Sequence, residues 1–158
     1  MSSEIHSINV SDGGVPKSMV ESADITKEGV EGDFNRFRAG LGGDPDRAVS
    51  IFSLELIERL KQEGHPIEIG STGENLTIRG VDWESLSEGL HLEIGDVVLE
   101  LSEPCAPCSK IGESFIGRRF SRVDHDQEFG WSRWLARVVR EGRVYVGDSV
   151  NIVITPDH

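Results

Sequence analysis

Apolar and polar residues alternate from Ile5 to Val10, the pattern of a strand with one buried face, and Asp12-Gly13-Gly14 with Pro16 marks a turn after it. Ala23 to Thr26 reads as a second strand, bounded by Gly29 and Gly32. Ala48 to Phe52 is a third, and it feeds a helix over Ser53 to Glu63. There Ser53 stands as N-cap, Leu54, Ile57 and Leu60 form an apolar stripe, and Gly64 with Pro66 supplies the stop. Gly70 to Gly80 is a glycine-bounded loop running into a short strand, and Val97 to Leu101 is another strand. Leu92 to Leu99 and Val144 to Ile152 share one alternation around Gly95-Asp96 and Gly147-Asp148, each a strand, a turn and a second strand. Between these echoes, Trp131, Trp134, Leu135, Val138 and Val139 recur at i, i+3, i+4, i+7 and i+8. That spacing predicts an amphipathic helix over Gly130 to Glu141, with the tryptophans in the core and Arg133, Arg137 and Arg140 on its other side.

Only two strong helical periodicities stand among many short strands, which predicts a mainly β fold: a closed or nearly closed β-barrel with a few peripheral helices packed outside. The 18 glycines favour the tight turns such a fold needs. At 158 residues the chain reads as a single domain, 1–158, without a linker. Its start has neither the basic nor the apolar region of a secretory leader, and no apolar run approaches the roughly 20 residues of a membrane span. The expectation is a cytoplasmic protein that meets no membrane.

A net charge of -12 argues against nonspecific nucleic-acid binding, yet the charge is unevenly spread. Val81 to Glu103 holds seven acids and no Lys or Arg, whereas Lys110 to Arg143 holds eight basic residues, seven of them Arg, against five acids. The basic stretch begins beside Cys108, as a site for an anionic small molecule would require. A solvated face balancing acidic neighbours explains the same count.

Both cysteines lie in Glu103-Pro104-Cys105-Ala106-Pro107-Cys108-Ser109-Lys110, a proline-stiffened loop. In a reducing compartment such a pair points to metal, redox or nucleophilic chemistry more than to a structural disulfide. A structural zinc needs two further ligands, and His6, His65, His91, His125 and His158 show no paired spacing. A thioredoxin-like couple needs Cys-x-x-Cys opening a helix, which Gly112 and Gly117 would break. A single thiolate at Cys108, favoured by Lys110 and nearby arginines, would bind a soft metal or carry a persulfide. Glu103 opposes ionisation of Cys105. An inert buried pair is the fourth reading. Elsewhere, Arg36 to Arg47 is too rich in Gly, Asp and Arg for core and reads as a surface loop without a Walker spacing. Glu74 and Asn75 sit where loop meets strand, a position that suits either a pocket wall or a stabilised turn. His65 reads as a partner for the helix C-terminus.

Taken in order, Gly13-Gly14-Val15-Pro16-Lys17, Gly43-Asp44-Pro45-Asp46-Arg47-Ala48-Val49-Ser50, Gly73-Glu74-Asn75-Leu76-Thr77, Gly95-Asp96, Pro107-Cys108 and Gly130-Trp131 through Arg137-Val138 to Gly147-Asp148 resemble a small stand-alone MOSC domain protein. The name comes from the C-terminal region of molybdenum cofactor sulfurase, and the resemblance runs from about Ile8 to Val153. It implies a barrel-like β fold and a molybdenum cofactor of the molybdopterin type. By its place in the motif Cys108 would ligate molybdenum or carry sulfur, with Arg47, Asn75 and Lys110 around it to bind the pterin cofactor. Where many relatives have a histidine before the glycines, this chain has Leu41, and Asp44-Pro45 is inserted. Three activities stay open: sulfur transfer, reduction of N-hydroxylated compounds, and noncatalytic cofactor carriage. No pyridoxal phosphate lysine site is evident, so a sulfur-donor or electron-transfer protein is the implied partner.

Overall fold

Eleven strands and one α-helix organise the computed structural model of the chain, which describes residues 3–12, 15–33 and 44–154. The strands are β1 (Glu4–Val10), β2 (Ser18–Val20), β3 (Ser22–Thr26), β4 (Gly29–Val30), β5 (Val49–Ser53), β6 (Leu76–Arg79), β7 (His91–Ile94), β8 (Val97–Pro104), β9 (Trp134–Arg140), β10 (Gly142–Tyr145) and β11 (Asn151–Val153). Helix α1 spans Leu54–Gln62, and short 3-10 turns fill much of Ser109 to Val123. The predicted turn at Gly13-Gly14 and the loop from Arg36 to Gly43 lie outside the described residues.

The expected strands at Ile5, Ala23, Ala48 and Val97 are present. So is the helix, because its local signals agree: the Ser53 hydroxyl accepts the Leu56 N–H at 3.2 Å, and Leu56, Ile57 and Leu60 are buried. The chain leaves α1 at Gly64, whose N–H reaches the Lys61 carbonyl at 2.9 Å. Of the two tryptophans expected in the core, Trp134 is buried and Trp131 is partly buried against the core.

Two expectations fail. The strands form an open eight-stranded mixed sheet in the order β11-β7-β8-β9-β5-β6-β1-β2 and a separate three-stranded sheet β10-β3-β4, so there is no closed barrel. Among the described residues the edge strands β11 and β2 are not hydrogen-bonded to each other; β1 is instead joined to the turn before β11 by the Glu4–Ser149 bridge and by backbone bonds such as Ile5 N–H to Asp148 O at 2.9 Å. The second helix is also absent: Trp134–Arg140 is β9, held between β8 and β5. Ala136 and Val138 are buried while Arg137 and Val139 face out, a period of two that the helical spacing of the flanking residues obscured. The two Gly-Asp echoes do each join two strands, but only β7 and β8 pair as a hairpin; β10 pairs with β3 and β11 with β7.

The large sheet sets out Asn75, Ser50 and Glu103 along one row. Asn9 N–H donates to Asn75 O at 2.7 Å and Asn75 N–H to Ser50 O at 2.9 Å; Ser50 then pairs with Leu135, and Leu135 with Glu103. Three strand spacings, about 14 Å, separate Asn75 from Glu103.

Candidate functional site

The cysteine loop leaves the end of β8. Cys105 N–H donates to Arg133 O at 2.8 Å, which carries the β8–β9 pairing one residue past Pro104. Beyond it the chain turns into the 3-10 stretch starting at Ser109, where Ile111 N–H donates to Cys108 O at 3.1 Å. Both thiols are free; Cys108 is exposed and Cys105 half-buried. Lys110 is exposed beside them.

Arg118 closes over this loop. Its Nη2 donates to Ser109 O at 3.0 Å, and its backbone takes a φ of 59°, left-handed space that a non-glycine residue enters at a cost. The same segment is tied down at two further points. Ile116 N–H donates to His65 Nδ1 at 3.1 Å, and Arg122 holds Glu63 through Nε at 3.0 Å and Nη2 at 2.7 Å while stacking on Trp131. The Arg122 hydrogen bond holds the Glu63 carboxyl below its ordinary value of 4.5. His65 therefore anchors a loop after the helix.

Arg47 lies at the same end of β8 as the cysteine loop: its guanidinium meets Glu103 at 3.0 Å, and Ser102 bonds the Asp46 carbonyl. Glu103 is two residues from Cys105, and its carboxylate is paired with Arg47. Of the seven arginines after Lys110, Arg118 and Arg133 touch the cysteine loop. Arg122, Arg137 and Arg143 instead pair with Glu63, Glu100 and Asp24, which is the charge-balancing role.

Asn75 is buried, with both ends of its amide in use. Its Oδ1 accepts the Ser50 N–H at 3.1 Å, while its Nδ2 donates to Asp33 at 2.9 Å and to Asn9 O at 3.3 Å. Asp33 also takes the Ser11 N–H at 2.9 Å and forms an ion pair of 2.5 Å with Lys17, whose side chain is 8% exposed. Glu74 is fully buried; its carboxylate accepts from Gly70 N–H at 3.0 Å, the Thr72 hydroxyl at 2.7 Å and the Thr77 hydroxyl at 3.0 Å. These bonds fold the 70–77 segment into a stiff wall. Ser71 joins that wall to the cysteine-loop segment through a 2.7 Å bond with Ser114.

Arg47 thus meets Glu103 at the end of β8 from which the loop bearing Cys108 and Lys110 departs, and Asn75 lies further along the sheet as an internal brace. Sequence reading missed Asp33 altogether and misplaced Arg133. Asp33 lacks a local pattern and finds Lys17 and Asn75 only in three dimensions. Arg133 lies between Trp131 and Trp134, and that aromatic flanking was the available sign of burial. Among the described residues no three His, Cys, Asp or Glu side chains converge as a protein-only metal site would require.

No helix among the described residues is long and apolar enough to cross a membrane. The uncharacterized protein YflK of Bacillus subtilis is 29% identical over 142 residues, covering 89% of this chain and 63% of YflK. A protein named Reductase from Gibberella moniliformis is 31% identical over 134 residues, covering 81% of this chain but 23% of that protein. The chain thus spans less than two thirds of these relatives. The crystal structure of YiiM from Geobacillus stearothermophilus superposes with a TM-score of 0.74 at 23% identity, covering 96% of this chain and 75% of that one. The YUAD protein of Bacillus subtilis gives the same TM-score at 21% identity, covering 96% of both chains, and these two likenesses establish the fold. Residues 38–151 match the MOSC domain, and with that match spanning most of its length the chain belongs to the MOSC domain family.

Proposed function

We propose that this chain binds a molybdenum cofactor of the molybdopterin type, with the Cys108 thiolate as the protein's ligand to the metal. The observation that carries the reading is the contrast between the two thiols: Cys108 is exposed at the start of a braced 3-10 segment, and Cys105 is half-buried. A single thiolate suits a soft metal whose other ligands come from the cofactor. The residues fit such a group. Lys110 supplies cationic charge beside the loop, Arg47 stands at the same end of β8 paired with Glu103 and Asp44, and Arg133 keeps a buried N–H without a hydrogen-bond partner among the described residues. Asn75 serves the site by holding Asp33 and Ser50 in place. When bound, the cofactor would supply two-electron redox chemistry at the metal; the chain's own part is to bind it, orient it and balance its charge.

The relative named Reductase favours reduction, and the family resemblance read from the sequence supplies N-hydroxylated compounds as the substrate class. The two electrons would come from an electron-transfer protein, and the oxygen would leave as water with two protons. A persulfide on Cys108, passed from a sulfur donor, is the alternative the same thiol permits.

The test is paired substitution. Wild type, Cys108→Ser and Cys105→Ser are purified under reducing conditions from a host that makes the cofactor, folding is checked by circular dichroism, and bound molybdenum, pterin and persulfide are measured. Cys108→Ser is expected to lose bound molybdenum and Cys105→Ser to keep most of it. Full retention in Cys108→Ser rejects the ligand assignment, and equal loss in both variants indicates a two-thiol site. Persulfide on Cys108 in the absence of molybdenum would select sulfur transfer.

A further inference from the structure

Arg133 lies immediately before β9 and is 6% exposed. Its Nη1 donates to Thr72 O at 2.6 Å, while Nε is buried with no hydrogen-bond partner among the described residues. Among the described residues Arg133 forms no ion pair, so a buried positive charge stands without a counter-charge in direct contact. Burial of that kind is costly unless an anion compensates it. The adjacent carboxylate, Glu74, is committed to Gly70, Thr72 and Thr77; Thr72 separates it from Arg133, giving its carbonyl to the arginine and its hydroxyl to the acid.

The bond from Nη1 to Thr72 fixes the plane of the guanidinium and leaves the Nε–Nη2 edge without a hydrogen bond among the described residues, the edge whose two parallel N–H groups match two oxygens of one oxyanion. Three segments meet around it. Arg133 O receives the Cys105 N–H, Thr72 belongs to the wall that ends at Asn75, and Ser71 of that wall bonds Ser114 of the cysteine-loop segment. We propose that Arg133 is an anion-binding residue behind the cysteine loop, taking a phosphate-class oxyanion on its Nε–Nη2 edge. The choice of phosphate rests on the cofactor reading, because the pterin cofactor carries such a group. The Thr72 tether also makes Arg133 a link between the two loops that enclose the site.

The test uses the whole chain and inorganic phosphate as the probe. The Arg133 Nε–H resonance, assigned by its disappearance in Arg133→Lys, is followed during titration, and affinity is measured by calorimetry. The resonance is expected to shift on saturation, and both Arg133→Lys and Arg133→Met are expected to bind about ten-fold more weakly or worse. Arg143→Met, at an exposed arginine paired with Asp24, is expected to bind phosphate as wild type does. A wild-type Nε–H that does not respond to phosphate overturns the proposal, and so does unchanged affinity in a folded Arg133→Met; if that variant does not fold, the wild-type resonance and Arg133→Lys decide. The two readings fail separately. Phosphate binding without any retained molybdenum or pterin in wild type removes the cofactor and leaves the Arg133 site. Full cofactor retention with no phosphate response does the reverse.

Discussion

Replacing Glu74 tests whether this acid braces the site or takes part in its chemistry. It is fully buried and accepts three hydrogen bonds, from Gly70 N–H and the hydroxyls of Thr72 and Thr77. A hydrogen bond to a charged group contributes about 1.5–3 kcal/mol, and a donor left unpaired in the interior costs about 1–3 kcal/mol. In Glu74→Ala the Thr77 hydroxyl keeps its contact with Asn9 Nδ2, and the Thr72 hydroxyl is free to rotate, but the Gly70 N–H has nowhere to turn. Adding the vacated volume, we expect a loss of about 3–5 kcal/mol. In Glu74→Gln the amide oxygen takes the place facing Gly70 and Thr77, and the Thr72 hydroxyl turns to accept from the new NH2. The expected loss is about 1–2 kcal/mol, the difference between charged and neutral acceptors. Urea unfolding of the reduced protein, followed by tryptophan fluorescence, measures both. Equal losses in the two variants, or a Glu74→Ala within about 0.5 kcal/mol of wild type, would refute the brace.

Three further outcomes follow from the geometry. Gly70 has a φ of 83°, and a Cβ there would stand 2.6 Å from Lys17 O, so Gly70→Ala is expected to destabilise by more than about 1 kcal/mol in the same unfolding assay. Because Arg122 lowers the Glu63 carboxyl from its ordinary 4.5, the stability it adds is present above that pH and is lost as pH falls through the lower folded value. The stability gap between wild type and Glu63→Gln is therefore expected to hold at neutral pH and close in acid; a gap that widens on acidification would contradict the assignment. Arg47→Ala, which removes a half-exposed ion pair with Glu103, is expected to change unfolding by less than about 1 kcal/mol while weakening cofactor retention; a stability loss of several kcal/mol would make its role structural.

Much of this fold is legible where local chemistry and tertiary environment agree. The Ser53 cap, the α1 stripe and the β7–β8 hairpin around Gly95-Asp96 carry their own instructions. Sheet closure does not, because it depends on whether two distant edges meet, and β2 and β11 are three residues each, with no local signature of their partners. At β9 the tryptophan spacing matched a helix, but a seven-residue run between two strands takes its conformation from the ladder it completes. The cysteine loop was legible because prolines and a preceding strand mark it. The Lys17–Asp33–Asn75 network and the buried Arg133 were not, since contacts across the sheet leave no trace in spacing along the chain.

The irregular pairing in β8 carries one more consequence. Leu101 faces Ala136 and Glu103 faces Leu135, so Ser102 is an extra residue in the strand, and its hydroxyl reaches Leu135 O at 3.0 Å. Side chains alternate strictly along a strand, so this one insertion resets the phase of everything after it. Without Ser102, Glu103 would turn away from Arg47, and the two thiols would leave the sheet on the opposite beat. At this point the chain encodes the direction of its cysteines by counting residues, and a deletion would do there what no substitution at Cys105 or Cys108 could.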